Sequence, residues 1–523
     1  MHRRHFLATT ALPLLGCAPA HEITGGFTGI AFERGHLLRE ARTWPAPSVT
    51  RRTDVLIAGG GVAGLAAARA LRLKGVEDFA LLELEDSTGG NSRGGVVGGM
   101  ACPLGAHYLP VPGDDAPDVQ NLLEELGLRQ RVAGRWQYDE RHLCHSPQER
   151  LFLHGAWQDG LLPVQGVGAG TLAQYQKFAA LVEQLRQQAP WHIPASNQPL
   201  AQVQLTLAAI TFAAYLDQHG LRDPYLRWYL DYCCRDDFGA GTAIVSAWAG
   251  IHYFASRHGF HAPGADNGER DSVLTWPEGN AWLTRRLAAP LGERLHTGQM
   301  VVRIAETRHG VEVDAFNTAT QTLERWQARR AIIALPVFIA ARVVQNPPDF
   351  LTQAAARTTY APWLVANIHI AQALHDRPGP APSWDNVLYN APGLGYVDAM
   401  HQSLLPVPAA TVLTYYRALG DTPNGRRLLL EKPWTAWRDE ILAELATAHP
   451  DIAQKATRID ITRYGHAMAI PTPELSSQIG LQPIYPRHKQ LQKPQRLAFA
   501  HSDWAGYSVF EEAFTLGHRA GSS

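Results

Sequence analysis

Lysine is nearly missing from this sequence: 6 lysines stand among 523 residues, against 41 arginines, and none lies between Lys177 and Lys432. Most of the chain therefore has no candidate catalytic amine. Cysteine is scarce as well, at five, and no two form a C-x-x-C pair, so zinc and thioredoxin chemistry have no support and no metal is expected. Cys233 and Cys234 are sequence neighbours, about 3.8 Å apart at Cα, which is too close for an ordinary disulfide. Together with Cys102 and Cys144 they are expected as buried small hydrophobes. There is no basic block: 47 Lys+Arg face 48 Asp+Glu, which argues against nucleic-acid binding by phosphate neutralisation. Repeats and low-complexity tracts are absent too. What is there suits globular domains. Hydrophobic residues at 46% and charged residues at 18% exclude disorder for the bulk of the chain. At roughly 150 residues per domain, two or three units are expected.

The first twenty residues read as an address. Arg3 and Arg4 precede an apolar stretch, Phe6 to Leu15, which is too short to span a bilayer that takes about 20 apolar residues. The order Arg-Arg-x-Phe-Leu resembles a twin-arginine export signal, which carries folded, cofactor-loaded proteins to the periplasm. Two processing readings stay open. Leu14-Leu15-Gly16-Cys17 looks like a lipobox, which would make Cys17 a lipid anchor; Ala18-Pro19-Ala20 would instead release a soluble product. Residues 21–50 are expected as a linker.

A dinucleotide unit begins at Asp54. The strand Asp54–Ala58 runs into Gly59-Gly60-Gly61-Val62-Ala63-Gly64 and then an alanine-rich helix. Gly59 permits the tight turn, Gly61 a close backbone approach to a pyrophosphate, and Gly64 close packing of helix on strand; the helix N-terminus, with Val62 and Ala63, supplies N–H groups. A second strand ends at Glu83, 24 residues after Gly59, placed to accept from adenosine ribose hydroxyls.

After Glu83 comes Asp86-Ser87-Thr88-Gly89-Gly90-Asn91-Ser92-Arg93, and here the chain resembles the flavin-containing amine oxidase superfamily, which includes the phytoene desaturases and protoporphyrinogen oxidases. In that family a Gly-Gly-Arg crosses the flavin pyrophosphate. Asn91 holds the arginine position here, and Arg93 is expected to take over the contact. The segment Leu274–Asn280 followed by Val301-Val302-Arg303-Ile304 is similar to the part of the family that holds adenine, which assigns Val301. Arg496 to Asp503 looks like the family's last strand, whose terminal acid binds ribitol, and Tyr507 to Ala520 reads as the helix aimed at the flavin. The alternative for Asp503 is an N-cap of that helix. The resemblance implies FAD and an α/β fold: a Rossmann-like FAD-binding domain from 51–115, 272–345 and 490–523, with a mixed α+β substrate or cap domain from 116–271 and 346–489.

The substrate side offers fewer groups. Helices are expected from Asp115 through Leu126, from Leu172 through Leu185, and from Ala208 to Leu216, beside strands at Leu364–Ile370 and Thr411–Tyr416. By the family's layout, His107, His466, and the pair Trp504 and Tyr507 approach the flavin ring: the histidines as base, hydrogen-bond donor or covalent attachment, the aromatics as cage walls. Each also has a plain reading, as a structural histidine or a core aromatic. Asp236-Asp237 reads as a solvated loop. The family's usual water-holding lysine has no counterpart between Lys177 and Lys432. The resemblance implies hydride transfer from an amine or polyamine to FAD, with dioxygen or a quinone as acceptor. Desaturation of an apolar substrate and a non-catalytic FAD lipoprotein stay open as alternatives.

Overall fold

The computed structural model describes residues 22–40, 43–144, 148–257, 259–264, 272–402, 409–476 and 496–523. Arg3, Arg4, Cys17 and the Ala18-Pro19-Ala20 site lie outside the described residues. The apolar run expected at 54–58 is the buried end of a ten-residue strand, Val49–Ala58. Val55 and Ile57 point to one face, Leu56 and Ala58 to the other, and both faces are covered, as a parallel central strand requires. Around it lies a seven-stranded sheet. Phe79–Leu82 and then Leu295–His296 extend it on one side, all in parallel. On the other, the long strand Thr322–Ile333 runs parallel to Val49–Ala58 and carries an antiparallel meander, Val311–Asn317 and Gln299–Glu306. Leu497–Phe499 pairs with the end of Thr322–Ile333, so segments far apart in sequence build one sheet.

Helix Val62–Leu73 packs on the Val55/Ile57 face together with Ala281–Ala288 and Phe510–Ser522. Gly517 and Gly521, one turn apart, let the last helix approach the first: a Cβ at Gly517 would fall 2.0 Å from the Ala63 carbonyl oxygen. Helix Pro117–Glu125, expected in the cap, belongs here, because Val119, Leu122 and Leu123 join the same core as Val55 and Leu65.

A second, eight-stranded mixed sheet is built from Thr24–Thr28, Ala456–Ala469, Tyr360–Ile370, Thr411–Ala418, Tyr396–Asp398, Asp385–Leu388, Glu149–Leu153 and Ala156–Asp159, in that order. Helices Ala169–Gln188, Pro224–Phe238 and Ala247–Ala255 pack on one face, and Gly425–Glu431 with Trp434–Leu445 on the other. The helix expected over Ala208–Leu216 is two, Gln202–Ala208 and Phe212–Gln218. The chain turns between them and Thr211 restarts it, accepting from the Ala214 N–H at 3.3 Å.

The expected linker is a correction. Thr24–Thr28 is a parallel edge strand on Ala456–Ala469, and Phe32–His36 is a short helix. Arg34 binds both carboxylate oxygens of Asp86, at 2.8 and 3.1 Å, and the Leu84 carbonyl at 3.2 Å, which straps this segment across the residues following Glu83. Cys102, Cys144, Cys233 and Cys234 are all buried thiols; burial pushes Cys102 and Cys144 up to about 12.

Candidate active site

One cavity of about 750 Å³ runs between the two sheets, and both contribute to its wall. Its first end is a backbone cradle. Gly59, at φ +103°, makes the turn that side chains rarely adopt, and a Cβ there would meet the Ala334 carbonyl oxygen at 2.3 Å. Gly61 then precedes helix Val62–Leu73 with no side-chain cap, so the N–H groups of its first turn are free to meet an anion. Gly59, Gly61, Val62 and Ala63 line the cavity, as does Gly90 opposite. Gly64 stands behind it, where a Cβ would lie 1.8 Å from the Gly59 carbonyl oxygen; its place is the crossing of helix and strand.

Glu83 lines the same end. Its Oε2 accepts from Gly60 N–H at 2.7 Å and Oε1 from Glu85 N–H at 2.9 Å. Each oxygen keeps a lone pair for a ribose hydroxyl. Burial raises this carboxyl despite those two bonds. Val301 lines the wall at the start of a β-bulge. Two further side chains of the wall were missed by the sequence reading. Gln299 and Asn280 are buried, and their carbonyl oxygens, Oε1 and Oδ1, have no partner while both residues line the cavity. Asn280 also donates to the Tyr108 carbonyl at 2.8 Å and so grips the loop that bears His107. Uncapped helix N–H groups, an acid with spare lone pairs and two unpartnered amide oxygens form a donor and acceptor set that fits a dinucleotide.

Asn91 lines the cavity and donates to the Ala467 carbonyl. Arg93 does not line it. Its guanidinium is engaged by two residues of the wall, 3.6 Å from Glu85 and bonded to the Tyr464 hydroxyl, so the expected phosphate contact is corrected. Asp503 is buried at the cavity wall on a short 3-10 turn, Ser502–Ala505. It does not cap the last helix, which starts at Phe510 after Val509. Its Oδ2 instead accepts from the Val337 N–H, at the start of helix Val337–Val343, at 3.0 Å, and from the Tyr360 hydroxyl at 2.6 Å. Burial alone would raise this carboxyl; His501, Tyr360 and the Val337 N–H outweigh it and hold it below the usual carboxylate range.

The other end of the cavity is aromatic. His107 stacks on Tyr416 with ring centroids 4.5 Å apart and lies 5.0 Å from Tyr108 and 5.4 Å from Trp384. His466 stacks on Phe338 at 4.5 Å. Both histidines line the cavity, and burial lowers them, His107 to about 3 and His466 to about 4, so both are neutral at physiological pH. Trp504 and Tyr507 do not line it. Trp504 packs against Phe350 and Phe499 under the first sheet; Tyr507 is fully buried beside Phe238, Trp248 and His252 and donates to Glu512 at 2.8 Å. They are core, and the aromatic wall comes from Tyr108, Trp363 and Tyr416 instead. Asp236 and Asp237, expected in a solvated loop, sit in helix Pro224–Phe238 and line the cavity. No lysine among the described residues lines it.

A family model described as flavin containing amine oxidoreductase matches residues 62–521. An L-amino acid dehydrogenase of Synechocystis is 27% identical over 177 residues, 34% of this chain and 33% of that protein. The bovine flavin-containing amine oxidase B is 22% identical over 318 residues, 57% of this chain and 53% of that one. The matched stretches thus span from a third to about half the length of these curated relatives. A solved structure of wild-type putrescine oxidase bound to putrescine superposes with a TM-score of 0.63 at 18% identity, covering 90% of this chain and 99% of its own, which shows a shared fold.

Proposed function

The chain belongs to the flavin-containing amine oxidoreductase family, and from that premise we propose that it oxidises an amine or polyamine at the carbon beside the nitrogen. FAD is the cofactor, and when bound it supplies the hydride acceptor. The carrying observation is one continuous cavity that joins a dinucleotide cradle to an aromatic wall. In this reading Val62 and Ala63 present N–H groups to phosphate, Glu83 receives ribose hydroxyls, Val301 backs the adenine and Asp503 takes the ribitol. Tyr416, His107 and Tyr108 form flat walls that exclude water, which hydride transfer needs more than it needs a charged base. His107 and His466, held neutral, set no positive charge against an approaching amine. His107 is thereby a hydrogen-bond partner and a weak base.

Anaerobic addition of a panel of amines to purified yellow protein is expected to bleach the flavin, with colour returning in air if dioxygen is the acceptor, or on adding a quinone if that is. A flavin reduced by dithionite yet inert to every amine would remove the proposal and favour a non-catalytic flavoprotein.

We further propose export by the twin-arginine route to the periplasm, supported by Arg3-Arg4 ahead of Phe6 to Leu15. Arg3→Lys with Arg4→Lys should strand precursor in the cytoplasm, and Cys17→Ala should abolish fatty-acid labelling. Normal export of the double variant, or unchanged labelling, would sink the respective claim.

A further inference from the structure

The cradle around Gly61 is short of positive charge. A helix N-terminus supplies only about half an elementary charge, less than a pyrophosphate needs. Asn91 carries none, and Arg93 is paired with Glu85 and does not line the cavity. Five other arginines do line it: Arg39, Arg257, Arg342, Arg426 and Arg463. Asp237 holds Arg257 at 3.4 Å. Arg463 lies over the Phe27 ring, 3.6 Å from its centroid, and donates to the Leu430 carbonyl at 2.9 Å. Arg342 stands in the last turn of helix Val337–Val343, where a cation suits the helix dipole. Arg39 and Arg426 are less committed. Arg426 donates through Nε to the Gly465 carbonyl at 2.8 Å, and neither residue forms an ion pair among the described residues.

Two anchors place this pair. The Ala31 N–H and Arg34 tie the N-terminal segment to Glu85 and Asp86, just past the Glu83 carboxylate. At the other end of the same segment, Arg39 is close enough for its charge to lower both Arg426 and His466. His466 adjoins Ala467, whose carbonyl accepts from Asn91, the residue that follows the cavity-lining Gly89 and Gly90. The segment thus reaches from the ribose end of the cradle to the neighbourhood of the Gly89–Asn91 loop. Between its ribose and its flavin ring, the one charged part of FAD is the pyrophosphate.

We propose that Arg39, together with Arg426, is the cation pair that binds the pyrophosphate of FAD, so that the N-terminal segment locks the cofactor in place. The pair joins both halves of the molecule, since Arg426 belongs to helix Gly425–Glu431 on the second sheet. Two guanidiniums brought together, one of them half-buried, are unfavourable until an anion joins them; burial and Arg39 both lower Arg426. Each has a planar fork of donors that matches phosphate oxygens. The assignment depends on FAD and not on which substrate the flavin oxidises.

The test is serial dilution of FAD-loaded protein, with released flavin followed by its fluorescence to give the dissociation constant. Arg39→Gln and Arg426→Gln should each weaken FAD binding about 10- to 100-fold, as expected for losing a charge-assisted contact, and Arg39→Lys should recover part of it. Added salt should weaken the wild type more steeply than Arg39→Gln, because the missing contact is between charges. A weaker constant with the wild-type salt dependence would mark a merely structural role and overturn the assignment. So would unchanged constants; unchanged constants with a raised KM for an anionic substrate would give the pair to a substrate carboxylate instead. Should Arg426→Gln fail to fold, the exposed Arg39 and its two variants still decide.

Discussion

Gly64→Ala is expected to leave little folded, FAD-loaded protein. The added Cβ would lie 1.8 Å from the Gly59 carbonyl oxygen and 3.0 Å from its carbon. Both are backbone atoms at the end of the central strand, so no flexible side chain can give way. Helix Val62–Leu73 must retreat from the sheet, and its first-turn N–H groups retreat from the cavity with it. Overpacking costs typically about 1–3 kcal/mol, and rigid backbone on both sides puts this case near the upper end. Expression should yield mostly insoluble protein, and the soluble fraction should be pale. Gly113→Ala is the control, because nothing lies within 4 Å of the Cβ it would gain; it should stay within about 0.5 kcal/mol of wild type. Wild-type melting temperature and flavin content in Gly64→Ala would refute the packing argument.

Asp503→Ala should be nearly as damaging, for a different reason. It strips the acceptor from the Val337 N–H and from the Tyr360 hydroxyl, leaving two donors in the interior. Hydrogen bonds to a charged group are worth about 1.5–3 kcal/mol each, so a loss of about 3 kcal/mol is expected even without cofactor. Melting temperature therefore cannot by itself report on FAD. The dissociation constant can: a ribitol contact predicts weakening on the order of 10- to 100-fold, and equal constants in a titration of apo protein would end the ribitol assignment. The deficit should also depend on pH. Asp503 is held below the usual carboxylate range, so its contribution is complete above the unfolded value of about 3.9 and is lost as pH falls through the lower folded value. Chemical denaturation at pH 7 and at acid pH should show the gap between variant and wild type narrowing in acid.

The dinucleotide end of the site was legible because its information is local. Strand, glycine turn, helix and acid sit within about thirty residues, and each glycine answers a backbone demand that needs no distant partner. The aromatic end was harder to read. Trp504 and Tyr507 stand next to the right strand, yet their rings turn into two different cores, which is decided by Phe350 on one side and Trp248 on the other. Arg93 has the charge to replace a missing arginine, but it is paired with Glu85, eight residues before it, and does not line the cavity. Asp236-Asp237 looks solvated because adjacent acids in a helix usually are. Their enclosure comes from packing this helix against the second sheet and against helices Ala169–Gln188 and Ala247–Ala255, whose sequence separation hides it.

Strand Thr24–Thr28 sets an order in time. Its neighbour, Ala456–Ala469, is more than four hundred residues away, and the two pair in parallel from Thr24 against Arg458 to Thr28 against Thr462. At about 5–20 residues per second, a ribosome needs roughly 20–90 s to travel from one to the other. For all that interval the strand has no edge to join, although it is among the first pieces made. The strap formed by Phe32 and Arg34 is tied to it, and Ile30 to Arg39 contribute to the cavity wall. The pocket therefore stays uncovered on this side until Ala456–Ala469 has emerged.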